Sequence, residues 1–309
     1  DGTRNKSGGR GDLARATGLQ DDVAYALLIV GFGTKCGLVP VQVWLPPTYE
    51  SAPGPARALM AGAAVNVGFY GLWRTLAMLG RPPVWIAVVV LLVAAFTAIL
   101  GIAHAAVPPH LLRVIAYSSI ENAGLIVVGY GVALAGAAAG NQRLVAVGLL
   151  AATLQMCAHA IAKSLLFTSA ATIESVVGSD DLDELRGISR RLPISGMGLG
   201  IGCLTLAGLP PTVGFVSEWF LLEALMQQFR LPGLALKLAL ATAGALVALT
   251  AGFASVTFVR LFGFVVLGGE RDRTHRADDV RLLGGAAIGL MSVGCLTVAA
   301  LSALELRMI

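Results

Sequence analysis

The sequence predicts an all-α protein: a polytopic bundle of about eight transmembrane helices, two of them broken. Three observations carry that prediction. Of the 309 residues, 56% are hydrophobic and only 13% charged, and the mean hydropathy is +0.80, whereas a soluble domain carries about 25% charge. Apolar runs of roughly 20 residues, the length that crosses about 30 Å of hydrocarbon, recur along the whole chain. Two of those runs are interrupted by proline close to an ionisable residue, at Gly37-Leu38-Val39-Pro40 and at Gly208-Leu209-Pro210-Pro211.

Residues 1–20 read as a polar, glycine-rich lead without the pattern of a signal peptide. It resembles a loop cut open, and the chain is expected to be the C-terminal part of something longer. The transmembrane domain is expected over 21–309. Span 1 covers 22–44 and contains Lys35 and the Pro40 break. Proline removes a backbone donor and clashes with the preceding turn, so a helix breaks or kinks there. Span 2 (59–79) holds Asn66 at mid-depth, and Arg81-Pro82-Pro83 stops it. Span 3 (84–106) carries no charge. Span 4 (111–135) contains Glu121 beside Asn122, and span 5 (144–172) contains His159 and Lys163. A polar connection at 174–193 follows, where the leucine spacing in Asp180–Arg186 predicts a short surface helix. Span 6 (194–226) is broken at Pro210 and Pro211, with Glu218 seven residues past the break. Span 7 (234–267) carries Arg260, read as a snorkelling arginine. A charged loop over 270–281 leads to span 8 (282–304).

The two interruptions echo one another. Trp44 and Phe215 each stand four residues past a proline of their break, and spans 1 and 6 run in opposite directions across the bilayer. Paired broken helices of opposite direction are the mark of inverted-repeat transporters. The loops joining spans 1–2, 3–4, 5–6 and 7–8 carry more arginine than the other side once the lead is set aside, which places them in the cytoplasm.

An ionisable residue within a span costs about 2.5–3.5 kcal/mol on insertion scales and is by default a functional-site hypothesis. Lys35, Glu121, His159, Lys163 and Glu218 meet that description. His159 and Lys163 are four apart and share a helix face, so a histidine that can exchange protons near neutrality stands beside a lysine. A structural polar pair bonded to a neighbouring helix is the alternative reading, and Glu121 is equally open to pairing with Lys163. Glu223 is expected at the interface, His104 and His110 at a solvated span boundary. The four cysteines lie singly in apolar stretches, so no metal or iron–sulfur ligation is expected. No nucleotide-binding glycine fingerprint or hydrolase elbow occurs, and the basic residues suit lipid headgroups rather than nucleic acid.

With these residues in place, the chain resembles the antiporter-like membrane subunits of respiratory complex I, Mrp-type cation/proton antiporters and membrane-bound hydrogenases. The resemblance rests on K-C-G-L-V-P-V-Q-V-W-L-P, I-A-Y-S-S-I-E-N-A-G, H-A-I-A-K-S-L-L-F and L-A-G-L-P-P-T-V-G-F-V-S-E-W, in that order. The I-E-N form, the D-L-D-E-L-R-G loop and F-V-R-L-F-G look most like the branch of hydrogenase-4 component B, the formate hydrogenlyase membrane subunit. The resemblance implies helices seven to fourteen of a fourteen-helix subunit. It implies that Lys35 is the central lysine of a first half-channel, that His159 and Lys163 serve a second, and that Glu218 is its terminal carboxylate. Asn66 stands where the family usually has a second lysine. The implied function is movement of protons, or of sodium ions, by a multi-pass subunit of the cell (plasma) membrane. It would hold no cofactor of its own, and its partners would be other membrane subunits and peripheral redox subunits. An Mrp-type antiporter subunit and a non-conducting scaffold for redox subunits are the alternatives.

Overall fold

The structure, a computed structural model, describes residues 7–269 and 279–305. Every regular element among them is helical. In chain order they are α1 (Ser7–Cys36), α2 (Leu45–Ser51), α3 (Gly54–Leu59), α4 (Asn66–Leu79), α5 (Val84–Ala105), α6 (Leu111–Ala138), α7 (Gln142–Val177), α8 (Pro193–Leu206), α9 (Val213–Leu225), α10 (Leu234–Leu261) and α11 (Leu282–Glu305). Short π-helical turns, Met60–Ala64 and Phe262–Val266, precede α4 and follow α10. Helices α5, α6, α7 and α10 with its π turn are each long and apolar enough to cross a membrane. At 1.5 Å per residue, the 22 residues of α5 extend about 33 Å. This is a polytopic helical membrane fold.

α6 is the axis of the bundle, buried along nearly its whole length between α5 and α7. Its sequence explains that position. A lipid-facing helix gains nothing from small residues, but glycine and alanine allow two backbones to approach closely. A Cβ on Gly124 would lie 2.4 Å from the Ala98 backbone nitrogen, and one on Gly148 2.5 Å from that of Ala133. The α5–α6 and α6–α7 seams are therefore closed by the absence of side chains.

Both proline sites interrupt helices. α1 stops at Cys36, and the chain passes through Gly37, at φ +82°, and a 3₁₀ turn at Gln42–Trp44 before α2 begins. α8 stops at Leu206, and Gly208, at φ +63°, turns the chain towards α9. The Val39–Pro40 and Pro210–Pro211 peptide bonds are both cis. Backbone groups freed inside an apolar bundle must find partners, and here neighbouring side chains supply them. Thr97 Oγ1 of α5 accepts from Val39 N at 3.2 Å, and Trp44 Nε1 donates to Thr34 O at 2.9 Å. At the second break, Ser255 of α10 donates to Ala207 O at 3.1 Å.

The connections corresponding to loops 1–2, 3–4 and 5–6 meet on one face. Arg57 Nη1 donates to Glu174 Oε2 at 2.5 Å, Arg113 pairs with Glu50 at 3.2 Å, and His110 with Asp180 at 3.2 Å. The 180–186 stretch is not the surface helix that its leucines predict. Asp181 Oδ1 captures the Asp183 amide at 2.8 Å, and the backbones at Leu111 and Leu182 bond across to Asp180 and Pro109. Local aspartate bonding of this kind competes with helix formation, and Leu182 and Leu185 turn into the core.

Two further expectations can be set against the structure. The lead is helical from Ser7 onward as the start of α1, while residues 1–6 lie outside the described residues. Arg260, expected to snorkel, reaches the connection that follows α5. Its guanidinium donates to Ala106 O at 2.8 Å and Pro108 O at 3.3 Å, occupying the open carbonyl end of α5. Most of the charged 270–281 loop lies outside the described residues, but Asp279 accepts from Ile194 N at 2.7 Å and from Ser195 Oγ at 2.7 Å, capping α8.

Candidate functional site

The most polar part of the interior lies between α6 and α7. α7 carries Gln155, His159 and Lys163 at steps of four, so they form one stripe about 12 Å long. α6 presents Ser118, Glu121 and Asn122 opposite. Lys163, His159, Ser118 and Glu121 are wholly buried, and Asn122 and Gln155 are nearly so.

Hydrogen bonds join the two stripes. Lys163 Nζ donates to Ile115 O at 2.6 Å and to Ser118 Oγ. Asn122 Nδ2 donates to Ser118 O and to Glu121 Oε2, each at 3.0 Å, and Gln155 Nε2 donates to Asn122 Oδ1 at 3.0 Å. Among the described residues no carboxylate lies within 4.0 Å of Lys163 Nζ. Direct pairing of Glu121 with Lys163 is thus not what the structure shows: Glu121 binds Asn122, and Lys163 is held by neutral oxygens. Glu121 still lies within electrostatic range of both Lys163 and Glu218. Both His159 ring nitrogens, Glu121 Oε1 and Gln155 Oε1 have no hydrogen-bond partner among the described residues. Buried polar atoms are nearly always bonded to protein or water, so this row has hydrogen-bonding capacity that water can fill.

The remaining residues named from the sequence surround this cluster unequally. Glu218, half-buried on α9, rests on the second break: a Cβ on Gly208 would lie 2.4 Å from its Oε2. Pro210 and Pro211 form that break with Gly208. Asn66 opens α4, its Nδ2 donating to Gly62 O at 2.6 Å, its Oδ1 without a partner among the described residues. The π turn before it touches α7, where a Cβ on Gly62 would meet Ser164 Oγ, the residue after Lys163. π turns are frequent at functional sites. Lys35 stands apart from the cluster, exposed at the end of α1 just before the Pro40 break. Glu223 and His104 are exposed.

The same signatures bear on kinship. The family described as "NADH:quinone oxidoreductase/Mrp antiporter, TM" matches residues 15–250. The chain belongs to this family. The match takes in both breaks, the whole α6–α7 cluster and Glu218. Among its relatives, Hydrogenase-4 component B of Escherichia coli (strain K12) is 33% identical over 290 residues, covering 93% of this chain and 43% of the relative. Among solved structures of similar fold, the Mrp complex from Dietzia sp. DQ12-45-1b superposes with TM-score 0.75 at 28% identity, over 90% of this chain and 28% of that one. The membrane-bound sulfane sulfur reductase, an archaeal respiratory membrane complex, gives 0.74 at 26%, over 88% and 43%. The chain thus spans less than half the length of each of these, and their names describe multi-subunit complexes in two of the three cases.

Sequence reasoning passed over Ser118 and Gln155, which tie the α6–α7 cluster together. Neutral polar residues are common in membrane helices and carry no insertion signal comparable to a charge. The step of four from Gln155 through His159 to Lys163 was the one available clue.

Proposed function

We propose that this chain moves protons across the cell membrane as a subunit of a membrane-bound hydrogenase or complex I-like assembly, with the redox chemistry in partner subunits. The observation that carries the proposal is the state of Lys163. It is wholly buried, and its ammonium is held by Ile115 O and Ser118 Oγ with no carboxylate within ion-pair distance among the described residues. A lysine locked in an ion pair would be a static charge. One held by neutral acceptors can give up its proton and keep its site.

In this reading Lys163 is the exchangeable carrier. His159, one turn away with neither ring nitrogen bonded among the described residues, relays through water. Glu121 receives or supplies protons on the α6 side, and Glu218 at the second break is the terminal carboxylate. Lys35 and Asn66 belong to a first half-channel. Energy would arrive as coupling between sites. The likeness to the Mrp complex supports a second reading, a cation/proton antiporter driven by an ion gradient.

Variants of the assembled complex in sealed membrane vesicles test the proposal. Lys163→Ala should abolish coupled proton movement while assembly persists. Lys163→Arg should also impair it, because a guanidinium stays protonated. Normal pumping by Lys163→Ala would reduce the chain to a scaffold, and uptake that follows a sodium gradient without electron transfer would favour the antiporter.

A further inference from the structure

The two sides of the first break differ in chemistry. One side opens on an apolar groove of about 310 Å³ between α1 and α5, lined by Ile29, Val30, Leu38, Val89, Val90 and Val93 among others. The other opens on a cavity of about 280 Å³ whose walls include Gln42, His104 and Tyr117. Val39 lines both. The second has room for several waters. It lies on the ion-paired face: the Arg113–Glu50 pair stands one turn from Tyr117 on α6.

This cavity borders the buried cluster. The buried part of its lining includes Gly101 and Ile120, the residue before Glu121. Gly101 packs directly on the next residue of α6, since a Cβ there would lie 2.3 Å from the Glu121 backbone nitrogen. Tyr117 and Glu121 are four apart, so they share one stripe of α6, with Glu121 one turn, about 5.4 Å, deeper. At the mouth His104 is exposed, stacked on Tyr117 at a 5.6 Å ring separation. Its Nδ1 is 2.8 Å from Leu100 O. With Nδ1–H donating to that carbonyl, Nε2 is left to accept a proton. Gln42 Oε1 is a buried acceptor without a partner among the described residues, placed to hold water along the wall.

We infer that the cavity bounded by Gln42, His104 and Tyr117 is a water-filled entrance through which protons reach Glu121, with His104 collecting them at its mouth. The inference rests on the proposed proton movement and adds its access route. A proton from bulk water binds Nε2 of His104; the imidazolium releases it to the water file, which delivers it to the Glu121 carboxylate. Each water in the file accepts one proton and gives up another, so the only net change is the proton's move from bulk water to the carboxylate.

The test uses the assembled complex in sealed vesicles. His104→Ala should lower the initial rate of proton uptake by about a hundredfold, the lower end for loss of a positioned proton-transfer group. Imidazole added to the medium should restore it, because the space vacated is open to solvent. His104→Gln, which can keep a bond to Leu100 O, should be as slow as His104→Ala; normal rates in it would assign His104 a structural role and overturn the inference. Val43→Cys, at an exposed position on the rim, should be modified by a membrane-impermeant thiol reagent from one side, with uptake blocked. Uptake unaffected by His104→Ala and by the modified cysteine, in vesicles where Lys163→Ala still abolishes pumping, would remove the entrance while leaving the proposed function standing. Normal pumping by Lys163→Ala would remove both.

Discussion

Gly208 shows how one position without a side chain can set the geometry of an acid. Its φ of +63° is left-handed backbone, which costs an L-residue about 1–2 kcal/mol, and the Glu218 carboxylate occupies the space where a Cβ would stand. Gly208→Ala therefore faces two penalties, and the cheaper response is to move the carboxylate. The expected outcome is a severalfold fall in vesicle proton uptake with the complex still assembled, comparable to Glu218→Gln, which keeps shape and removes the titrating group. Unchanged uptake in Gly208→Ala would show that Glu218 needs no such seat. Lys163, His159, Glu121 and Glu218 were legible in the sequence because a charge in an apolar run stands out energetically. Ser118 and Gln155 were not, because their importance lies in which residue of another helix they meet. Lys35 marks the opposite limit: its place in an apolar run is visible in the sequence, but its exposure at the end of α1 depends on what packs around it.

At the scale of elements, the seams between helices are specified by close backbone approach, so glycines of similar sequence context should respond oppositely to one added methyl group. At Gly124 the methyl would meet Ala98 N at 2.4 Å and Ala94 O at 2.6 Å, both rigid backbone. At Gly252, in α10, no atom of the described residues lies within 4 Å of the added methyl. Gly124→Ala should force α5 from α6 at the usual overpacking cost of about 1–3 kcal/mol. Gly252→Ala should be neutral or mildly stabilising, since alanine is favoured over glycine within helices by about 0.5–1 kcal/mol. Thermal unfolding of the two purified complexes would decide; an equal response would mean that the seam can relax. The positions of the broken helices were readable from proline. The turn at 180–186 was misread because leucine spacing speaks for a helix while the aspartates, bonding locally, speak against it. The helical stretch from Ser7 was missed because its glycines and charges resemble loop composition.

At the scale of the whole molecule, the four ion pairs among the described residues all lie on the face where loops 1–2, 3–4 and 5–6 meet. Exposed pairs are worth about 0–1 kcal/mol each, but Arg57 is only 5% exposed and ties α3 to the end of α7. Arg260 closes the end of α5 on the same face, and Asp279 the start of α8. The opposite face is joined more lightly, by Arg81 donating to Ala138 O at 2.7 Å and by Tyr25 to Gly80 O. Mechanically the bundle is a fan pinned at one rim. Its ribs should have less freedom where they are riveted than where they are not, with thermal rocking amplified with distance from the pins. Spin-label pairs joining neighbouring helices should give narrow distance distributions near Arg57 and Asp180 and broader ones near Gly80 and Asn141. Arg57→Met should widen the first set, pulling the rivet that holds the rim closed; equal widths at both faces would show that the fan has no fixed edge.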